Sequence, residues 1–133
     1  MLEKGVPIHS QKFFETILRY SGTDGAQLLV AKQNGRIIAG MLLLYSNGFA
    51  AYPYQACRSG FEQFAPTQLL IWEAMQRCHQ RGISTLDMGE SQEGSSVYQS
   101  KINFGGIAQN VYYYSTHSSP PSRWASLPMI LFQ

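Results

Sequence analysis

Two Asn-Gly pairs, Asn34-Gly35 and Asn47-Gly48, restrict the folding of this chain more than any other feature. Each lies between apolar, strand-like runs in "AQLLVAKQNGRIIAGMLLLYSNGFAAYPYQA". Asn-Gly between such runs is the strongest short signal for a hairpin, because both turn residues tolerate φ > 0. Two in succession predict three antiparallel strands, over about 26–32, 36–45 and 48–56.

Outside the meander the period changes. "HSQKFFETILRYS" (9–21) sets Phe13, Phe14, Ile17 and Leu18 on one helical face, with Ser10 as N-cap and Gly22 as the stop. "APTQLLIWEAMQRCHQRG" sets Leu69, Trp72, Met75 or Gln76, and Cys78 or His79 along a second stripe, which assigns Trp72 and the Leu69–Leu70 pair to the core. Pro66 suits the first turn of that helix and Gly82 its end. "ISTLDMG" reads as a short buried strand over about 83–88. "SSVYQSKINF" reads as a short helix starting near Ser95 or Ser96, and "IAQNVYYYST" as a last strand. Tyr112, Tyr113 and Tyr114 alternate across that strand, so one side packs and the other lines a cleft or interface. Residues 116–133 form a proline-rich, irregular tail whose closing apolar residues dock on this chain or on a partner.

This order predicts one α/β domain over residues 1–133, with a mixed sheet and a core spanning 9–115. The helix of 66–81 is long enough to make strands 48–56 and 83–88 parallel neighbours. Parallel strands with a helix starting between them make a crevice where ligands commonly bind.

Several classes of function find no support in composition. The net charge of +2 is too small to draw the chain onto duplex nucleic acid. His9, His79 and His117 are scattered and no HExxH or Cys/His cluster occurs, so no metal site is expected. Cys57 and Cys78, far apart and outside any CxxC, read as small buried hydrophobes. A GxSxG elbow is missing. No apolar run approaches the length of about 20 residues that spans a bilayer. The start, "MLEKGVPIHS", lacks the layout of a secretory signal, so the cytoplasm is the expected compartment.

Candidate chemistry centres on "SVYQSKINFGG" (96–106), where Lys101 stands between Tyr98 and Phe104. One reading is an amphipathic turn whose lysine snorkels to water. The other is a cation placed where negative charge develops. Attack of an amine on an ester or thioester builds an oxyanion, which a fixed cation about 3 Å away stabilises. The amine must also lose a proton, and Asp87, Glu90 and Glu93 are the carboxylates near the same strand end. Asp87, before a glycine, also suits a turn. The first amides of the long helix, at Thr67, Gln68 and Leu69, suit an anion. Arg58 reads either as a phosphate or carboxylate contact or as a solvated loop residue.

The order of elements, with these residues, resembles the GNAT acyltransferase fold. In that fold two parallel strands splay, and the helix between them starts at the cofactor's pyrophosphate. The superfamily signature there is Gln/Arg-x-x-Gly-x-Gly/Ala. This chain has "QFAPTQ": Gln63 matches the first position, and Pro66 and Gln68 replace the small residues. Proline removes one N–H from the cradle, and Gln68 crowds it. A closer resemblance is to the C-terminal domain of FemA/FemB-like enzymes. It rests on "NGRIIAG" (34–40), "PTQLLIW" (66–72), "DMG" (87–89) and "YQSKINFGG" (98–106), in that order.

The resemblance implies transfer of an acyl or aminoacyl group to an amine, from acetyl-CoA, another acyl-CoA or an aminoacyl-tRNA, onto a small-molecule or peptide acceptor. It places Lys101 near the transfer centre, with Tyr98 and Phe104 lining the substrate. Ser100 stands where an aromatic is usual, and Tyr98 stands in for it. It also implies a fold incomplete at its N-terminus, which a homodimer or a partner chain would complete, since an unpaired edge strand favours association. Two alternatives stand beside aminoacyl transfer: an acetyl-CoA-dependent N-acetyltransferase, and a non-catalytic GNAT remnant that binds a partner.

Overall fold

A computed structural model describes residues 9–112, 114 and 128–132. The three-stranded meander forms as its turns dictate: β1 (Ala26–Gln33), β2 (Arg36–Ser46) and β3 (Phe49–Cys57). Asn34 and Gly35 sit at φ 48° and 76°, and Asn47 and Gly48 at 48° and 79°. Both residues of each turn thus occupy the left-handed region that only such residues enter readily. β2 is the middle strand, and Met41, Leu42 and Leu43 are all buried on it, so both of its faces are covered.

Ahead of the meander, α1 (Gln11–Gly25) starts where Ser10 Oγ accepts the Phe13 N–H at 3.3 Å. Its regular turns break at Gly22, which takes φ 62° and ψ −177°. His9, Phe13 and Phe14 gather around the Tyr54 ring, with centroids 5.3 to 5.8 Å from it. This aromatic cluster fastens α1 to β3.

After β3, a single 3-10 turn (Glu62–Phe64) leads into α2 (Pro66–Gln80). α2 buries Leu70, Ile71, Ala74, Met75 and Cys78. Leu70, Met75 and Cys78 are buried as expected from sequence, but the first half of the expected stripe is displaced. Trp72 is 55% exposed and Leu69 59%, so neither belongs to the core. The stripe through Leu70 and Ile71 wins because Ala74, fully buried, lets the helix approach the sheet closely. At the far end of α2, Arg81 donates to the carbonyls of Thr23 and Asp24 and covers the Tyr45 ring at 4.1 Å.

The chain continues through β4 (Thr85–Glu90), α3 (Ser96–Asn103), β5 (Ile107–Asn110) and β6 (Pro128–Phe132). β4 is shifted two residues beyond the expected 83–88. α3 starts as expected, with Ser95 Oγ accepting the Tyr98 N–H at 3.1 Å. Gly105, at φ 86°, and Gly106 return their N–H groups to Ile102 and Lys101 and turn the chain into β5.

The sheet runs β1-β2-β3-β4-β6-β5. Two expectations are corrected here. The strand after α3 ends at Asn110, short of the tyrosines; Tyr112 and Tyr114, which share a side, are exposed, and Tyr113 lies outside the described residues. The tail is not irregular throughout, because Pro128–Phe132 inserts as a strand between β4 and β5, antiparallel to both. Its remainder, 115–127, lies outside the described residues.

Candidate active site

β3 and β4 run parallel but pair only through Phe49–Thr85, Ala50–Leu86 and Ala51–Asp87. β3 continues to Cys57 and β4 to Glu90, so beyond these pairs the strands part. Each strand bulges where they separate. Between Ala51 and Tyr54, β3 holds one residue more than β2 opposite, and Pro53 stands in the bulge. Proline has no N–H for a ladder, and a bulge is where a strand tolerates it. Between Asp87 and Glu90, β4 holds one residue more than β6, with Gly89 at φ 74°. Bulges bend and twist the strands that carry them. Here they open a crevice with unlike walls.

The β4 wall is built by the "DMG" and "YQSK" motifs together. Asp87 Oδ1 accepts the Gly89 N–H at 2.7 Å. Lys101, on α3, is only 5% exposed. Its Nζ donates to Gly89 O at 3.1 Å, Glu90 O at 3.2 Å and Ser91 Oγ at 2.6 Å. An ammonium has three donors and no acceptor, so all three are engaged by the end of β4. Burial pulls the lysine below its usual pKa, and the charges of Asp87 and Glu90 oppose that shift. Tyr98 and Phe104 pack, half-buried, against the core beside it. The Gly89 position suits glycine because its φ is positive; the space beside it, with Lys101 Nζ 3.9 Å from where a Cβ would lie, would admit a side chain.

The β3 wall holds Tyr52, the first residue past the last β3–β4 pair and only 4% exposed. Its hydroxyl has no hydrogen-bond partner among the described residues, nor does the buried Oε1 of Gln55. Burial pushes the phenol far above its usual pKa, and the Asp87 charge adds to the shift.

A second group of expected residues collects where β3 hands over to α2. Arg58 is exposed at the end of β3, and Gln63 is exposed in the 3-10 turn. Ala65, ahead of α2, is left-handed at φ 51° and ψ 42° and provides no side-chain cap. The first bond of the helix closes from the Leu69 N–H to Ala65 O at 3.2 Å. The Thr67 and Gln68 amides precede it and have no acceptor within the helix. No acid stands in this first turn, and Arg36, over the Phe61 ring at 5.6 Å, adds a second positive charge nearby. Leu69 is separate. It lines a groove of about 640 Å3 along β1, with Leu28 and Val30.

The structure thus brings Lys101, Asp87, Tyr98 and Phe104 together, and Arg58, Gln63, Thr67 and Gln68 together, leaving Leu69 apart. Sequence reasoning missed Tyr52 and Ser91. The proline in "YPYQ", inside a run that otherwise reads as a central strand, was the available signal for the bulge.

Comparison with known proteins places this geometry. The chain resembles a ribosomal-protein-S18-alanine N-acetyltransferase from Escherichia coli with a TM-score of 0.67 and 15% identity, over 96% of this chain and 77% of that one. It resembles Ard1 from Thermoplasma volcanium with a TM-score of 0.73 and 9% identity, over 97% and 82%. It resembles a GNAT family acetyltransferase from Elizabethkingia anophelis, solved with acetyl-CoA bound, with a TM-score of 0.59 and 16% identity, over 96% and 90%. At these identities the likeness is one of fold. No curated protein matches the sequence. The FemA/FemB-specific part of the resemblance is not shown by these matches. A family model, the acetyltransferase (GNAT) domain, matches residues 3–100. With its splayed parallel strands and most of its length covered by that model, the chain belongs to the GNAT acetyltransferase family.

Proposed function

We propose that this domain is an acyl-CoA-dependent N-acyltransferase, with acetyl-CoA as donor and the amine of a small molecule or peptide as acceptor. The observation that carries the reading is the parting of β3 and β4 beyond Ala51–Asp87, beside an α2 N-terminus without a side-chain cap. The residues present fit coenzyme A. Two amides, Thr67 and Gln68, suit a pyrophosphate at a helix start, and Arg58 and Gln63 are exposed on the preceding loop. Pro66 makes this cradle one donor poorer than a glycine-rich loop. When bound, acetyl-CoA supplies an activated acyl group.

The chain's own residues divide the remaining work. Asp87, at the last position where β4 pairs with β3, takes up the proton of the incoming amine. Lys101 acts as a positioning residue: its three hydrogen bonds hold the end of β4, and with it the Asp87 wall, at a fixed distance from β3. Tyr98 and Phe104 back that wall. The family match and the N-acetyltransferase neighbours support this reading over aminoacyl transfer from tRNA.

Thermal unfolding with and without acetyl-CoA tests it. A ligand at about a hundred times its dissociation constant adds about 2.7 kcal/mol, or about 10 °C for a domain of this size. A rise of that order is expected. No rise with acetyl-CoA or coenzyme A overturns the reading and leaves aminoacyl transfer or a non-catalytic remnant.

A further inference from the structure

Tyr52 carries a hydroxyl that the fold buries and leaves without a partner among the described residues. A buried donor without an acceptor is destabilising, and phenylalanine would fill the same core position without that cost. The Gln55 Oε1 atom is in the same condition three residues along. Both lie on the stretch of β3 beyond its last pair with β4, where the two strands part. Two unmet polar atoms at the inner wall of a crevice indicate polar contacts that an occupant completes.

The chemistry of that contact follows from the phenol. It sits in the hydrophobic cluster with Ala50, Leu86 and Met88, so its surroundings disfavour the phenolate. Burial and the Asp87 charge both hold the proton on. Through the neutral range it is therefore a donor, suited to an uncharged carbonyl oxygen. We propose that the Tyr52 hydroxyl donates a hydrogen bond to the carbonyl oxygen of the acyl group carried by the bound thioester. This rests on the acyl-CoA reading above. Tyr52 is then a binding residue that tells an acylated donor from spent coenzyme A.

Calorimetric titration of the whole chain with acetyl-CoA, coenzyme A and S-ethyl coenzyme A tests this, for the wild type and for Tyr52→Phe. S-ethyl coenzyme A keeps the length of the acetyl group but lacks its carbonyl. The wild type is expected to bind acetyl-CoA about 3- to 10-fold more tightly than either other ligand, the size of one hydrogen bond. In Tyr52→Phe the three affinities converge, while the melting temperature of the free protein stays level or rises. A Tyr52→Phe variant that keeps the preference for acetyl-CoA overturns the proposal. So does a variant that loses stability in the free state with its preference intact, since the hydroxyl then has an internal partner such as a buried water. If Tyr52→Phe does not fold, the wild-type comparison decides alone: equal binding of acetyl-CoA and S-ethyl coenzyme A overturns it. A wild type that binds none of the three brings down the acyl-CoA reading, and this inference with it. Binding of all three with no preference brings down this inference only.

Discussion

Lys101→Met removes the buried ammonium that accounts for the carbonyls of Gly89 and Glu90 and the Ser91 hydroxyl. Glu90 O keeps the Ser91 hydroxyl as a donor and only Ser91 is fully buried, so the expected loss is about 1–3 kcal/mol, the cost of about one unmet buried group. Denaturation with urea measures it directly. A stability change below about 0.5 kcal/mol, the range of ordinary surface substitutions, would count against a positioning role. Tyr52 makes a prediction of opposite origin. Its folded-state pKa is raised above the usual value near 10, so above about pH 10 the unfolded chain loses a proton that the folded chain keeps. The unfolded state then holds fewer protons, and stability falls as pH rises past that point. Below it, both states are protonated and Tyr52 contributes no slope. Tyr45, also raised, titrates in parallel, so the comparison that isolates Tyr52 is wild type against Tyr52→Phe. The wild type is expected to lose more stability between about pH 9 and about pH 11.

At the level of elements, the start of α2 joins two opposing demands. Ala65 is left-handed and precedes a proline, a conformation that costs a non-glycine residue about 1–2 kcal/mol. Just beyond it, the Thr67 and Gln68 amides have no acceptor within the helix and stay available to an anion. Ala65→Gly relieves the strain at some cost in backbone entropy, and a net gain of about 0.5–1 kcal/mol is expected on thermal unfolding. A loss of stability would show that the Ala65 methyl packs rather than strains. The same helix shows where periodicity fails to choose. Leu69 and Trp72 define one apolar stripe, and Leu70, Ile71, Ala74 and Cys78 define another about 100° away. Both are visible in "PTQLLIWEAMQRCHQ". Only the sheet beneath decides between them, and it accepts the stripe with the smaller side chain at its centre.

For the whole molecule, the strand Pro128–Phe132 carries more than its length suggests. It pairs with β4 on one side and β5 on the other, so it closes the half of the sheet that holds the β4 wall. A chain cut before Pro128 bares the edge of β4 and leaves β5 without its neighbour. Net stability is only about 5–15 kcal/mol for a domain, so such a chain is expected to lose most of its cooperative melting and to aggregate. A sharp, unchanged melting transition would show that this strand is dispensable. The meander, the helices flanking it and the parallel crossover follow from sequence alone, because turns, caps and apolar period act over a few residues. Asn34-Gly35, Ser10 and Ser95 each determine their element without help from distant residues. The order of elements and Gln63 in the signature position also point to the GNAT family before any fold is seen, whereas the FemA/FemB-like motifs at Asp87 and Lys101 are not shown by the matches. Tertiary structure alone decides that Lys101 is buried with its donors engaged, that Trp72 faces outward, and that the Tyr52 hydroxyl has no partner among the described residues where the strands part. Each depends on which distant strand or helix fills the space beside it, and neighbours far along the chain leave no local pattern.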